Sequence, residues 1–425
     1  MSRTRHLLLG AAALASLAAL GGCSDTKELI NAPTPTGGEM FRSYVAMGNS
    51  ITAGLQSGGI NDSTQKESYA YLLAKHLGTR FAYPALAMPG CPAPIDNFQT
   101  QSRVGGGSGS DCAFRTPTSP TAALNNVAVP NAAVADPTSS STANSNALTL
   151  FVLGGKTQVQ RALDADPTFV SIWIGNNDVL AAAVTGMLTP TPGISPGVTP
   201  QQTFEQHYDE MISQLRAGAD HLQGGVLIGV VNAANAPILF PAAALLASPA
   251  FRAGFEAFTG GPVTVHPSCA GSTSLLSFAI VPRIRLYRQD PTAAGAHPPL
   301  IVCEKGQAGI PAPVGDVFIL DATEQAELAA DMTAINDYIE SKATEAGFAF
   351  YDPNPALVAL RQAGAIPLVP DLGNPTKPYG DYISLDGVHP AGPAHELIAN
   401  ELIDAINAKY NISIPPLSPD LMFAH

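Results

Sequence analysis

Apolar residues in this chain gather in short continuous runs that end on small polar residues. Ser43 to Met47, Phe169 to Ile174 and Gly225 to Val231 read as strands. The unbroken apolar character of Phe169 to Ile174 suits a strand covered on both faces of a parallel sheet. Elsewhere the spacing turns helical. Ser68 to Leu77 and Ala322 to Ala346 carry that period, and in Ala394 to Lys409 the residues Leu397, Ile398, Leu402, Ile403 and Ile406 fall on one face. Phe348 to Tyr351 reads as a further strand. Strands alternating with helices predict a three-layer α/β/α fold around a parallel sheet, and no internal repeat interrupts it.

Between these elements the polar and turn-forming residues mark loops. Residues 89–146 hold the run Gly105-Gly106-Gly107-Ser108-Gly109 and a Ser/Thr/Asn-rich stretch from Thr138 to Asn146, with one apolar run, Val127-Ala128-Val129, inside them. Thr189 to Pro200 is rich in Pro and Gly and opens a long region, about 186–315, read as an insertion that caps the core. Within it, Ile238 to Ala247 lacks any charge, a pattern more often core than ligand-facing. Residues 23–40, with Pro33, Pro35, Gly37 and Gly38, read as a tether, and the folded domain is expected over 41–425.

The first residues stand apart from the fold. Arg3 and Arg5 precede an apolar run, Leu7 to Leu20, that is too short to span a bilayer and has the order of a secretory signal. It ends in Leu20-Gly21-Gly22-Cys23, which resembles the lipobox of bacterial lipoproteins. That resemblance implies cleavage of a signal peptide, 1–22, and lipidation of Cys23, placing the chain in the bacterial cell envelope on a lipid anchor. Cys91, Cys112, Cys269 and Cys303 remain. An even number in an exported chain suggests two disulfides, and proximity favours Cys91–Cys112 and Cys269–Cys303 among three pairings. None shows the C-x2-C spacing of a zinc site.

Composition narrows the classes further. With 425 residues, 46% apolar and 13% charged, the chain is too long and too apolar for a disordered protein. Its 21 basic against 34 acidic residues give a net charge of −13, opposite to the basic surface that nucleic acids require. The same charge discourages adsorption to anionic lipid, so membrane attachment falls to Cys23.

Three segments place reactive polar residues just after an apolar strand or just before a helix, where open α/β sheets bind ligands: Gly48-Asn49-Ser50, Gly175-Asn176-Asn177-Asp178 and Asp386-Gly387-Val388-His389-Pro390. Together they supply a hydroxyl, a side-chain amide, an imidazole and a carboxylate, the set that acyl transfer to water needs. In order and spacing they resemble the SGNH (GDSL-type) hydrolases, over roughly residues 41–185 and 316–410. Tyr44 to Gly54 is similar to the first block, with Ser50 at the nucleophile; Trp173 to Asp178 to the G-x-N-D block, with Asn177 at the oxyanion amide; and Asp386 and His389 to the Asp-x-x-His block.

Two positions depart from the family pattern. Asn49 stands where the family has Asp, keeping size and hydrogen-bonding shape without the charge. Asn131, after Val127-Ala128-Val129-Pro130, stands where the family has a Gly whose N–H enters the oxyanion hole, and Asn tolerates positive φ better than most residues. The resemblance implies a flavodoxin-like core and acyl-ester hydrolysis through a covalent intermediate: Ser50 attacks, His389 takes its proton, Asp386 orients the ring, and the Ser50 and Asn131 N–H groups and the Asn177 amide hold the oxyanion. It implies no cofactor and no metal.

Singly, each residue has a plainer reading. Ser50 suits a helix cap, Asn177 and Asp178 suit a turn, and Asp386, His389 and His395 suit a metal site, although Pro390 and Pro393 intervene. Gly154-Gly155-Lys156-Thr157 lacks the first Gly of a phosphate loop, since Leu150 stands there. The substrate class, a lipid ester or an acetylated glycan, stays open, as does oligomeric state. Two rivals remain: a non-catalytic binding lipoprotein on the same fold, and an acyltransferase using the same residues.

Overall fold

The computed structural model describes residues 34–112, 123–139, 147–306, 310 and 315–417; the expected leader and Cys23 lie outside them. Among the described residues, the strands Tyr44–Gly48, Phe169–Trp173, Gly224–Ile228 and Ala349–Tyr351 lie side by side in that order, all parallel. The run Val127–Val129 extends the sheet beyond Tyr44–Gly48: its N–H groups donate to Ala46 O at 3.0 Å and Gly48 O at 3.1 Å, beside a parallel bridge from Ala46 to Asn126. Counted along the chain, the spatial order becomes second, first, third, fourth, fifth, the flavodoxin-like arrangement whose ligands bind where the order reverses. That point lies between Tyr44–Gly48 and Phe169–Trp173.

Alternate residues of each strand feed opposite cores. Val45, Met47, Val170 and Ile172 pack with Phe204, Met211, Met332 and Ile335 of the helices Gln201–Gly218 and Ala322–Ala346. Tyr44, Ala46, Phe169 and Trp173 pack with Tyr69, Leu73, Leu402 and Ile406 of the helices Tyr69–Leu77 and Gly392–Tyr410. The helices begin where local chemistry says they should. Ser68 caps the first of the second pair, and Asp321 with Glu324 forms a capping box on Ala322–Ala346, which ends at Gly347 with φ +72°.

Residues 186–315 divide into two parts. Gln201–Gly218 is an 18-residue amphipathic helix that buries Phe204, Tyr208, Met211, Ile212 and Leu215 in the core, and Gly224–Ile228 is a core strand. The separately packed part begins at Leu239. Three antiparallel strands, Leu239–Pro241, Leu275–Ser277 and Ile319–Leu320, and the helices Pro249–Thr259 and Ile280–Gln289 surround Phe240, Phe255 and Ile284. Cys269–Cys303 crosslinks this part, while Cys91–Cys112 staples the loop region before Val127. Its apolar cluster takes in Ile366, Leu372 and Tyr379, so it braces the segment that leads to Asp386.

Candidate active site

The Tyr44–Gly48 strand ends on Gly48 at φ +152°, where a Cβ would meet Trp173 O at 2.5 Å and Thr52 Oγ1 at 2.6 Å. Only glycine suits that corner. Asn49 then caps the short helix Ser50–Ala53, its Oδ1 accepting the Ile51 N–H at 3.1 Å. Its buried Nδ2 has no partner among the described residues.

At the other end of the chain, residues 382–391 double back: the Ser384 N–H donates to His389 O and the Ala391 N–H to Tyr382 O, each at 2.9 Å. Gly387 turns the chain at φ +73°, and a Cβ there would meet Tyr379 Cζ at 2.8 Å. This tight return puts Asp386 and His389 on the same side. His389 Nδ1–H donates to Asp386 Oδ2 at 2.8 Å, which leaves Nε2 of the neutral ring as an acceptor. The Ser50 hydroxyl donates to that Nε2 at 2.9 Å.

Asp386 is held from both ends. Its Oδ1 accepts the Val388 and His389 N–H groups at 2.9 Å and the Ser384 hydroxyl at 3.1 Å, and its Oδ2 also accepts the Gly58 N–H at 2.7 Å. Burial favours the neutral acid. The charge and hydrogen bond of His389, with the His389 and Val388 N–H groups, outweigh burial and hold the pKa down at about 2. Asp386 is ionised at any working pH. Gly58, Ser57 and Ser384, which join the loop after Ser50 to the loop before Asp386, were not legible as site residues, because nothing in their local sequence encodes a contact across more than three hundred residues.

Asn131 is exposed and sits at φ +67°, the left-handed conformation that explains why a Gly or an Asn belongs there. Among the described residues, neither its N–H nor that of Ser50 has a hydrogen-bond acceptor. Asn177 opens the helix Asn177–Thr185 at the end of the neighbouring strand. One hydrogen of its amide goes to Ala132 O at 2.8 Å, which fixes the plane in which the second hydrogen points.

Asp178 is buried directly after it. Its Oδ2 accepts the Val134 N–H at 2.9 Å and its Oδ1 the Thr199 hydroxyl at 2.8 Å, tying the 131–134 loop to the helix start. Burial, with a smaller push from Asp136, outweighs these hydrogen bonds and raises its pKa to about 7. His395 is buried too, and its Nδ1 accepts the Tyr69 N–H at 3.2 Å. Burial and the nearby His389 lower its pKa to about 3, so the ring is neutral, and Nε2 has no partner among the described residues. No group of three or more His, Cys, Asp or Glu side chains is placed to hold a metal ion among the described residues.

A line of proton donors and acceptors thus runs from a hydroxyl through an imidazole to a carboxylate, and it begins at a serine whose own N–H has no acceptor among the described residues. Such an arrangement can activate an oxygen nucleophile and stabilise an oxyanion. Among curated proteins no match to this chain is found. Among solved structures, it is similar to a catalytic mutant of an acetylxylan esterase from Geobacillus stearothermophilus, with 11% identity and a TM-score of 0.37 over 88% of this chain and 96% of that one. The model of the GDSL-like lipase/acylhydrolase family matches residues 44–402, from the strand before Ser50 to the helix after His389. This chain therefore belongs to the GDSL-like lipase/acylhydrolase family and is a carboxylic ester hydrolase.

Proposed function

We propose that the ester is cleaved through an acyl-enzyme on Ser50. The observation that carries this reading is the continuous hydrogen-bond line from Ser50 Oγ through His389 to Asp386. Ser50 Oγ attacks the ester carbonyl while His389 Nε2 takes its proton, and the carbonyl π electrons move onto oxygen. The Ser50 and Asn131 N–H groups and the free Asn177 amide hydrogen receive that oxyanion. Collapse expels the alcohol, which takes the proton from His389, and water repeats the sequence to release the acid. Asp386, ionised throughout, keeps the ring in the acceptor tautomer and stabilises its cation.

The cationic start, the apolar run Leu7 to Leu20 and the Leu20-Gly21-Gly22-Cys23 sequence support an exported enzyme held at the envelope membrane by lipid on Cys23. A Cys23→Ala variant is then expected in the soluble envelope fraction.

Labelling with a fluorophosphonate, mapped by mass spectrometry, tests the nucleophile without assuming a substrate. Ser50 is expected to carry the label, and Ser50→Ala to lose label and roughly 10⁴–10⁶-fold in kcat. A folded protein that hydrolyses esters with Ser50 unlabelled, or with Ser50→Ala fully active, sinks the mechanism.

A further inference from the structure

At the C-terminal end of the sheet a cleft of about 90 Å³ opens to solvent. Its wall includes Ile51, the residue after Ser50, and Val388 and Pro390, the residues on either side of His389. Trp173 lies at the strand end, and Ala356 and Leu360 of the helix Asn354–Gln362 form the opposite side. No charged side chain lines it, and apolar side chains predominate. An acetylated sugar, with hydroxyl groups on every side, would leave most of them without partners there. A hydrocarbon loses nothing by entering.

We infer that this cleft seats the acyl chain of the ester cleaved at Ser50, and that the chain is a hydrocarbon longer than acetyl. The inference rests on the hydrolase reading above and adds the substrate class to it. Helix Asn354–Gln362 has no fully buried residue, and it is held through Asn354 to Asn232 and Val230 and through Arg361 to Asn235 O. Each methylene taken from water into such a cleft is expected to raise kcat/KM by about fourfold until the space is filled.

The test is a series of p-nitrophenyl esters from acetate to dodecanoate. Wild type is expected to rise along the series and then level. Ala356→Phe, which fills the cleft, is expected to abolish the rise and the plateau that follows it. Val358→Phe, on the same helix but exposed and outside the cleft, is expected to change neither. Should Ala356→Phe fail to fold, Leu360→Ala serves in its place, moving the plateau to longer chains.

Binding is read separately, because Trp173 is the chain's only tryptophan. In Ser50→Ala, decanoate is expected to shift Trp173 emission, and adding Ala356→Phe to remove the shift. A profile that favours acetate, one that Ala356→Phe leaves unaltered, or an absent emission change overturns the cleft assignment while Ser50-dependent acetate hydrolysis stands. Turnover that survives Ser50→Ala overturns the mechanism instead, and the emission titration still decides the cleft.

Discussion

Asp178 Oδ2 accepts the backbone N–H of Val134 at 2.9 Å, across 44 residues of chain. Asn131 lies three residues before Val134, so this contact, with that of the Asn177 amide to Ala132 O, sets how the 131–134 loop stands against the helix that Asn177 begins. Removing the carboxylate leaves the loop held through Ala132, without touching Ser50, His389 or Asp386. Asp178→Ala is therefore expected to lower kcat by about 10- to 100-fold with KM within about twofold, less than the loss of a whole oxyanion donor. Asp178→Asn is expected to recover most of this, since its oxygen can accept from Val134 while its amide donates to Thr199. Steady-state kinetics on the two variants decide; equal losses in both would mean that charge, not placement, matters.

The same carboxyl gives the fold a pH dependence. Its pKa of about 7 lies above the ordinary 3.8, so the folded chain keeps a proton that the unfolded chain has released, and stability falls as pH rises from about 4 to about 7. His395 acts with the opposite sign. Its pKa of about 3 lies below the ordinary 6.5, so the unfolded chain gains a proton that the folded chain refuses, and stability falls as pH drops from about 6.5 to about 3. From about pH 4 to 6.5 the two slopes oppose each other. Asp178→Asn removes the first, so its stability relative to wild type is expected to rise with pH by about 1.4 kcal/mol per unit in that window. Urea unfolding of both proteins at several pH values measures this difference.

Asn131 invites a substitution in each direction. At φ +67° a glycine is relaxed and a β-branched residue is strained. Asn131→Gly is expected to keep kcat within about threefold, because the N–H stays where it is, whereas Asn131→Ile is expected to lose about 100-fold. Matching circular dichroism spectra would confine the effect to the loop. A fully active Asn131→Ile would remove this N–H from the oxyanion hole.

Much of the site was legible because its residues sit at the ends of apolar runs. Gly48-Asn49-Ser50 and Gly175-Asn176-Asn177-Asp178 follow strands, and the Asp386–His389 spacing is a turn written in consecutive residues. The sheet edge at Val127–Val129 was harder to read, since three apolar residues inside a polar stretch acquire meaning only when Ala46 and Gly48 supply their hydrogen-bond partners. Gln201–Gly218 had a readable signal that the surrounding Pro- and Gly-rich loops obscured: Phe204, Tyr208, Met211, Ile212 and Leu215 recur at helical spacing. Gln158 had none. Its side-chain amide pairs with both the N–H and the O of Gly48 at 3.1 Å, a contact that depends wholly on the fold.

The crosslink Cys269–Cys303 closes a loop of 34 residues in the part that braces the Asp386 segment. On the chain-entropy account, Cys269→Ser with Cys303→Ser is expected to cost about 4 kcal/mol. Differential scanning calorimetry should register the loss, with turnover below the transition little changed.

Ser50 and His389, which share one hydrogen bond, lie 339 residues apart. A ribosome delivers Ser50, the sheet edge, Asn131 and Asn177 long before it delivers His389. Under the proposed mechanism, Ser50 is an ordinary alcohol throughout that interval, harmless to any ester nearby. On that reading, reactivity switches on only when the last loop closes over the strand made first, so a copy that terminates before His389 is expected to be inert.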